Sequence, residues 1–472
     1  MTGKHLDVDV CVIGGGSAGL SCAAGAAQLG KKVALIEKGE MGGDCLNYGC
    51  VPSKALLSAG AAAQNARDAA KFGVAAAPTV DFAAAMAHVR RTIDAIAPID
   101  SQERFEGLGV TVVRAHARFV GPRTIEAGDQ RIEAKFFVVA TGSKPFVPPI
   151  PGLAELPFDT NETIFNHTVA PKRLMVLGGG PIGVELAQAH RRLGAEVVIV
   201  EAASILLRDD PEAVDVVRKR LMAEGVEIFE GAKAASFSRT AAGDLEMTLS
   251  DGRALTGDRL LVAVGRRVDA SDLDLEAAGV VLENGRPVAD ATMRTANRRI
   301  FVAGDAAGGK QFTHVAGDDA ARLVRTILFK IPSKKRDALA PHVTYADPEL
   351  ASVGLSEEAA RAAHGDIMVS RWSFEDNDRA QAEGRSDGFM KAIALKNGRI
   401  LGAVIVGKNA GDQIAIWGAA MANGWKIGAF TSMIAPYPTR SEITKRAAGA
   451  FYAPTLFSDR TKSLIRLLSM FD

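Results

Sequence analysis

The chain has 472 residues, too many for one ordinary core; at roughly 150 residues per domain, about three domains are expected. Apolar residues make up 47% and charged ones 24%, a balance that excludes a disordered chain. A net charge of +1, with no Lys/Arg run that forms a basic patch, gives no field to steer nucleic acid or an anionic membrane, so small molecules are the expected partners. No apolar run approaches the roughly 18 residues of a membrane span. Met1–Asp9 has no leader pattern, so a native start and a cytoplasmic location are expected.

In chain order, Val8–Ile13 reads as a strand that ends in Gly14-Gly15-Gly16-Ser17-Ala18-Gly19. A helix to Leu29, a stop at Gly30, the strand Val33–Ile36 and Glu37 complete the first unit. Gly14, Gly16 and Gly19 follow a strand and open a helix, the context in which glycines permit a tight turn and close approach of a pyrophosphate. The helix N-terminus then faces the phosphates, and Glu37 is placed to accept from ribose hydroxyls. The plan recurs in Leu174–Leu177, in Gly178, Gly180 and Gly183, in a helix to Leu193, and in Val197–Val200 with Glu201. Two fingerprints imply two dinucleotides and electron transfer between them. A carboxylate at Glu201 would repel a 2'-phosphate, so NADH is favoured over NADPH, with Arg208 as the nearby residue that favours a phosphate. Pro145–Pro151 reads as a linker between the units. From about Pro341 the fingerprints stop, and Met390–Leu395 and Ile400–Val406 suggest antiparallel strands of a third domain.

Four cysteines are too few for a secreted disulfide framework. Cys45 and Cys50 lie in Gly42-Gly43-Asp44-Cys45-Leu46-Asn47-Tyr48-Gly49-Cys50-Val51-Pro52-Ser53-Lys54, ahead of a helical run predicted over Ser53–Ala66. A helix N-terminus favours thiolate, so this pair is expected to be redox-active. A zinc site is the rival reading, but two cysteines without a nearby His fall short of four ligands, and no metal is expected. Cys11 and Cys22, in the first strand and helix, read as buried structural residues.

With these residues the sequence resembles the pyridine nucleotide-disulfide oxidoreductases, in the branch of dihydrolipoamide dehydrogenase and mercuric reductase. The likeness runs nearly end to end. It includes Ala140-Thr141-Gly142-Ser143, Val264-Gly265-Arg266, Ala303-Gly304-Asp305 and Asp347-Pro348-Glu349 through Val353-Gly354. The resemblance implies an α/β homodimer with two Rossmann-like dinucleotide-binding domains, for FAD and NAD, plus a C-terminal α+β dimerisation domain. The corresponding boundaries are 1–150 and 269–340 for FAD, 151–268 for NAD and 341–472 for the interface. It places Gly14, Gly16, Gly19, Glu37, Lys54, Thr141, Gly142, Gly304 and Asp305 at FAD, Asp305 on the ribityl chain. Gly178, Gly180, Gly183, Glu201 and Gly265 fall at NAD. Cys50 would be the thiolate against the flavin and Cys45 the interchange thiol, with Lys54 and Glu185 paired beside the flavin edge.

One departure bears on chemistry. Where disulfide-reducing members carry a His-Pro pair followed by a Glu that orients the His, this chain reads Tyr437-Pro438 with Glu442, and its last histidine is His364. A phenol that titrates near 10 can donate a proton but is a poor base at neutral pH. Tyr437 is similar to the mercuric reductase pattern, whose C-terminal cysteine pair is absent here; the chain ends Ser469-Met470-Phe471-Asp472. The expected activity is electron transfer between NADH and a disulfide or dithiol through Cys45 and Cys50. The alternatives are a reductase of a metal ion or other acceptor, and a flavoprotein subunit of a larger assembly with a carrier-protein acceptor.

Overall fold

The computed structural model describes residues 4–471; Met1–Gly3, part of the segment read as the native start, and Asp472 fall outside it. The backbone divides into two units. The first comprises 1–67, 76–202 and 227–337, the second 68–75, 203–226 and 338–472.

The first unit begins with β1 (Lys4–Ile13), α1 (Ser17–Gln28) and β2 (Val33–Ile36), followed by the short α2 (Gly43–Asn47) and the long α3 (Cys50–Asp68). After α4 (Phe82–Ile96), capped by Asp81, and α5 (Gln102–Gly107) come β3 (Val110–Val113), β4 (Ala117–Gly121), β5 (Thr124–Ala127) and β6 (Gln130–Val139). The sheet order is β3-β2-β1-β6-β5-β4, with the later strand Ile300–Val302 beside β6. Strands β1, β2, β3 and β6 run parallel, and Val10, Cys11, Val12 and Ile13 are all buried. That is the pattern of a strand covered on both faces, and it explains why the sequence shows a continuous apolar run there. Both Cys11 and Cys22 are buried, and burial pushes their thiols well above the ordinary range.

The short strand β7 (Lys144–Pro145), at the start of the expected linker, pairs with β15 (Arg266–Arg267). The second parallel sheet has the order β10-β9-β8-β14, built from β8 (Arg173–Leu177), β9 (Glu196–Val200), β10 (Val226–Phe229) and β14 (Arg259–Val262). Helix α6 (Pro181–Arg192) opens with a proline at its first position, where no intrahelical N–H is needed. An antiparallel meander, β11 (Ala234–Arg239), β12 (Leu245–Leu249) and β13 (Ala254–Gly257), precedes β14. The chain returns through β16 (Leu282–Glu283), β17 (Arg286–Pro287) and β18 (Ile300–Val302) to α8 (Thr313–Phe329).

The second unit is an antiparallel sheet, β19-β20-β23-β22-β21, made of β19 (His342–Thr344), β20 (Glu349–Gly354), β21 (Met368–Ser373), β22 (Phe389–Ala394) and β23 (Ile400–Gly407). Its helices are α7 (Pro211–Ala223), α9 (Glu357–His364), α10 (Asp378–Ala382), α11 (Ala410–Ala422), α12 (Gly428–Thr431), α13 (Glu442–Leu456) and α14 (Asp459–Leu468). The two strands expected from the sequence are present, but every residue of β22 and β23 is buried rather than every second one. Helices cover both faces: Trp417 and Phe451 pack on Ala392 and Ala403, while Ala360 packs with Ile393 and Leu401. Lys391, buried in β22, pairs at 2.8 Å with Asp210, which also caps α7. Among the described residues, no helix is long and apolar enough to cross a membrane.

Candidate active site

The cysteine segment is two helices, not one. Cys45 sits in α2, and Cys50 is the first residue of α3, three residues before the expected start. Pro52 falls in the first turn, where a missing N–H is harmless, so it does not delay the helix. Both thiols are free. Cys50 Sγ lies 3.3 Å from Thr313 Oγ1, at the start of α8. Two opposite ionisation tendencies result. The hydrogen bond from Cys45, then that of Thr313 and the positive charge of the Lys54 ammonium, pull Cys50 below its ordinary value against burial and the Asp44 charge. Cys45 is pushed up, first by that same bond to Cys50, then by burial and the charges of Cys50 and Asp44. The N-terminus of α3 adds its dipole to Cys50.

Lys54, one turn after Cys50, pairs with Glu185 of α6 at 2.8 Å. The Glu185 side chain is only 6% exposed and that of Lys54 37%, so the pair spans from interior to surface. This brings together two residues 131 positions apart, as the resemblance implied.

Around them runs a polar network. Arg266 donates to Asp44 Oδ1 at 3.1 Å, Ser143 Oγ at 2.8 Å, Ser143 O at 2.7 Å and Asn161 Oδ1 at 3.3 Å. The Ser143 hydroxyl donates at 2.6 Å to Asp305, whose carboxyl is raised by burial. Asn161 Nδ2 donates to Asp44 Oδ1 at 3.0 Å and to the Tyr48 carbonyl at 3.1 Å. Sequence reasoning singled out neither Asn161 nor Thr313; Asp44, Ser143 and Arg266 stood only within quoted motifs.

The two glycine loops are near copies. Gly14 and Gly178 have φ +110° and +109°, a region that favours glycine. A Cβ on Gly19 would lie 1.8 Å from Gly14 O, and one on Gly183 2.0 Å from Gly178 O, so each helix packs on its own turn. In contrast, a Cβ on Gly142, Gly180 or Gly265 would meet nothing within 4 Å, and one on Gly16 only Gly43 Cα at 3.8 Å. Tight turns beside open backbone fit two dinucleotides. Glu37 accepts the Gly15 and Gly39 N–H groups at 2.5 Å each, and Glu201 accepts that of Gly179 at 2.8 Å. Each acid thus braces the glycine loop it follows, a contact the sequence reading did not foresee. Gly304, with φ +63°, accommodates a turn in which its N–H donates to buried Asp319. Thr141 immediately follows Ala140, whose carbonyl crowds Gly14.

Tyr437 belongs to the second unit, where its side chain is exposed. Its hydroxyl donates to Asp378 Oδ2 at 2.7 Å, and that carboxylate raises its pKa. Glu442, in the first turn of α13, accepts from Arg446 at 2.9 Å. The acid that orients the phenol is therefore Asp378, on α10.

Residues 8–320 match the family described as pyridine nucleotide-disulphide oxidoreductase, and residues 340–448 match its dimerisation domain. A mercuric reductase from Lysinibacillus sphaericus is 33% identical over 452 residues, 94% of this chain and 82% of that protein. A dihydrolipoyl dehydrogenase from Thermus scotoductus is 35% identical over 465 residues, 94% of this chain and 97% of that one. Among solved structures, the copper(II) complex of the HOCl-induced flavoprotein disulfide reductase RclA from Escherichia coli aligns with a TM-score of 0.84 at 28% identity, covering 94% and 99% of the two chains. This chain belongs to the pyridine nucleotide-disulphide oxidoreductases and is, with them, an FAD-dependent enzyme that works with a pyridine nucleotide.

Proposed function

We propose that the chain is an NADH-dependent disulfide reductase whose redox pair is Cys45 and Cys50. The observation that carries this reading is the two free thiols, Cys45 in α2 and Cys50 as the first residue of α3, with Cys50 Sγ 3.3 Å from Thr313 Oγ1 and the Lys54–Glu185 pair one helical turn on. FAD, when bound, supplies hydride acceptance from the nicotinamide and delivery of two electrons to the oxidised pair. The glycine loops at Gly14–Gly19 and Gly178–Gly183, with Glu37, Thr141, Gly142, Gly304 and Asp305 on one side and Glu201 and Gly265 on the other, hold the two nucleotides. Residues 1–150 and 269–340 form the FAD domain, 151–268 the NAD domain, and 341–472 the contact between two copies.

With the pair reduced, Cys45 passes its proton to the Cys50 thiolate along their hydrogen bond and attacks one sulfur of the substrate disulfide. The S–S bond breaks, a thiolate leaves and solvent protonates it. Cys50 then gives its proton to solvent and attacks Cys45 Sγ, which expels the second thiolate, protonated in turn by solvent, and closes the Cys45–Cys50 disulfide. Two electrons pass from the cysteines to the substrate, which becomes two thiols. Lys54 keeps a positive charge one helical turn from Cys50, held by Glu185.

Anaerobic titration of the FAD-loaded protein with NADH, and separately NADPH, tests the reading. A long-wavelength absorbance band after two-electron reduction supports a Cys50 thiolate beside the flavin, and a better yield with NADH supports the role of Glu201. Bleaching without that band counts against the cysteine relay. A second reading, reduction of a metal ion, is favoured by Tyr437 in place of a histidine and by the names of the mercuric reductase relatives and the copper(II) complex of RclA. Mercuric or cupric ions that fail to oxidise the reduced protein would exclude it.

A further inference from the structure

Helix α2, which carries Cys45, is held from outside at both ends. Asn161, 6% exposed, donates through one nitrogen to the Asp44 carboxylate before Cys45 and to the Tyr48 carbonyl after it. Arg266, whose side chain is 12% exposed, binds the same Asp44 oxygen and is itself fixed by Ser143, which is tied to Asp305. The fit leaves no slack: a Cβ on Gly49 would lie 2.8 Å from Asp44 Oδ2. Asp44 is thus an anchored carboxylate one residue from one thiol and within electrostatic reach of both.

We propose that Asp44, clamped by Arg266 and Asn161, is a positioning residue for Cys45, fixing the turn that presents this thiol and keeping the proton of the reduced pair on it. The inference rests on the assignment of Cys45 and Cys50 as the redox pair. The charged and polar groups that face the pair are Asp44 on α2, Lys54 on α3 and the Thr313 hydroxyl on α8, with Glu185 of α6 behind Lys54. Lys54 and Thr313 offset the Asp44 charge at Cys50. At Cys45 the Thr313 hydroxyl does so, and the negative charge there resists a second one. Arg266 tempers Asp44, so the two set the Cys45 thiol between them.

The test is a pulse of iodoacetamide across pH 5 to 10 on the reduced full-length protein, with each cysteine followed by peptide mass spectrometry. Asp44→Asn keeps hydrogen-bonding atoms and loses the charge. It should move the Cys45 midpoint down, so that labelling at a fixed pH below it rises by up to about tenfold for each pH unit that the midpoint falls. Arg266→Met unmasks the carboxylate and should move the midpoint up. Opposite movements are a signature that loosening of α2 would not give. Coincident profiles, or movement of both variants in the same direction, would overturn the proposal; if Arg266→Met does not fold, Asp44→Asn decides alone. The reading of function fails separately: full turnover with a disulfide acceptor in Cys45→Ser would sink it while the labelling profile still decides the hold of Asp44 on the sulfur.

Discussion

Lys54 Nζ and Glu185 Oε2, 2.8 Å apart, join the helix that begins with Cys50 to the helix that opens the second glycine loop. One ion pair therefore links the helix of the proposed redox cysteines to the loop proposed to hold the nicotinamide nucleotide.

Removing the cation should be costly for chemistry and cheap for stability. Lys54→Met is expected to slow reduction by NADH at least tenfold in stopped-flow measurements. Because Lys54 is more than a third exposed, solvent screening limits the stability loss to about 1 kcal/mol. Glu185→Gln retains a hydrogen-bond acceptor and should fall between Lys54→Met and the unsubstituted enzyme.

The reduced pair should label in a fixed order as pH rises. Thiolate is the reactive form, Cys50 is depressed below an ordinary thiol and Cys45 raised above it, so Cys50 reacts first and Cys45 only at higher pH. The linkage signs are opposite. Cys50 contributes stability above the ordinary thiol value that is lost as pH falls through its depressed one; Cys45 contributes stability below that value that is lost as pH rises through its raised one. Equal labelling of both cysteines across the range would contradict this order.

The two loops should fail separately. Gly183→Ala forces a methyl to 2.0 Å from the Gly178 carbonyl and should abolish saturable NADH binding while FAD content is retained; Gly19→Ala, at 1.8 Å, should lose FAD. Each overpacked turn should also lower stability by about 1–3 kcal/mol. Flavin absorbance per chain and nucleotide titration separate the two outcomes.

Tyr437→Phe removes an exposed hydrogen bond to Asp378 and should change the melting free energy by less than about 0.5 kcal/mol. Tyr437→His is the informative change. If a base at this position is what the chain lacks, dithiol oxidation near neutral pH should rise by about 10²-fold or more. Unchanged rates would mean that position 437 does not serve the thiols.

Lys391→Met leaves Asp210 buried without its cation and should cost about 3–5 kcal/mol, seen as a large fall in melting temperature.

What was legible in the sequence was whatever a local rule enforces. Gly14 and Gly178 must be glycine because their backbone turns left-handed, and their strands read true because both faces are buried. The pairing of Lys54 with Glu185 came only through family resemblance, since nothing near either residue points to the other. Thr313 is 263 positions from Cys50, and Arg266 is 222 from Asp44; each looks like an ordinary polar residue until the sheets bring it home. Helix α3 begins three residues before the expected Ser53, because its first turn tolerates Pro52. Asp378 was missed as the partner of Tyr437 because the acid four residues after Pro438 was the only local candidate.

The backbone crosses between the two units five times, after Arg67, Ala75, Ala202, Val226 and Asp337. Helix α7 reaches the second unit from the middle of the first, burying Val214, Val217 and Leu221 and supplying Asp210 to Lys391. The dimerisation domain matches its family as one continuous block, 340–448, yet that block is not a portable piece of protein. A fragment beginning at Ala338 would strip Lys391 of Asp210 and Glu212, leaving it Glu357 at 3.6 Å, and would leave the sheet face under α7 bare to water. The two units are woven from one thread, and no single cut yields either of them whole.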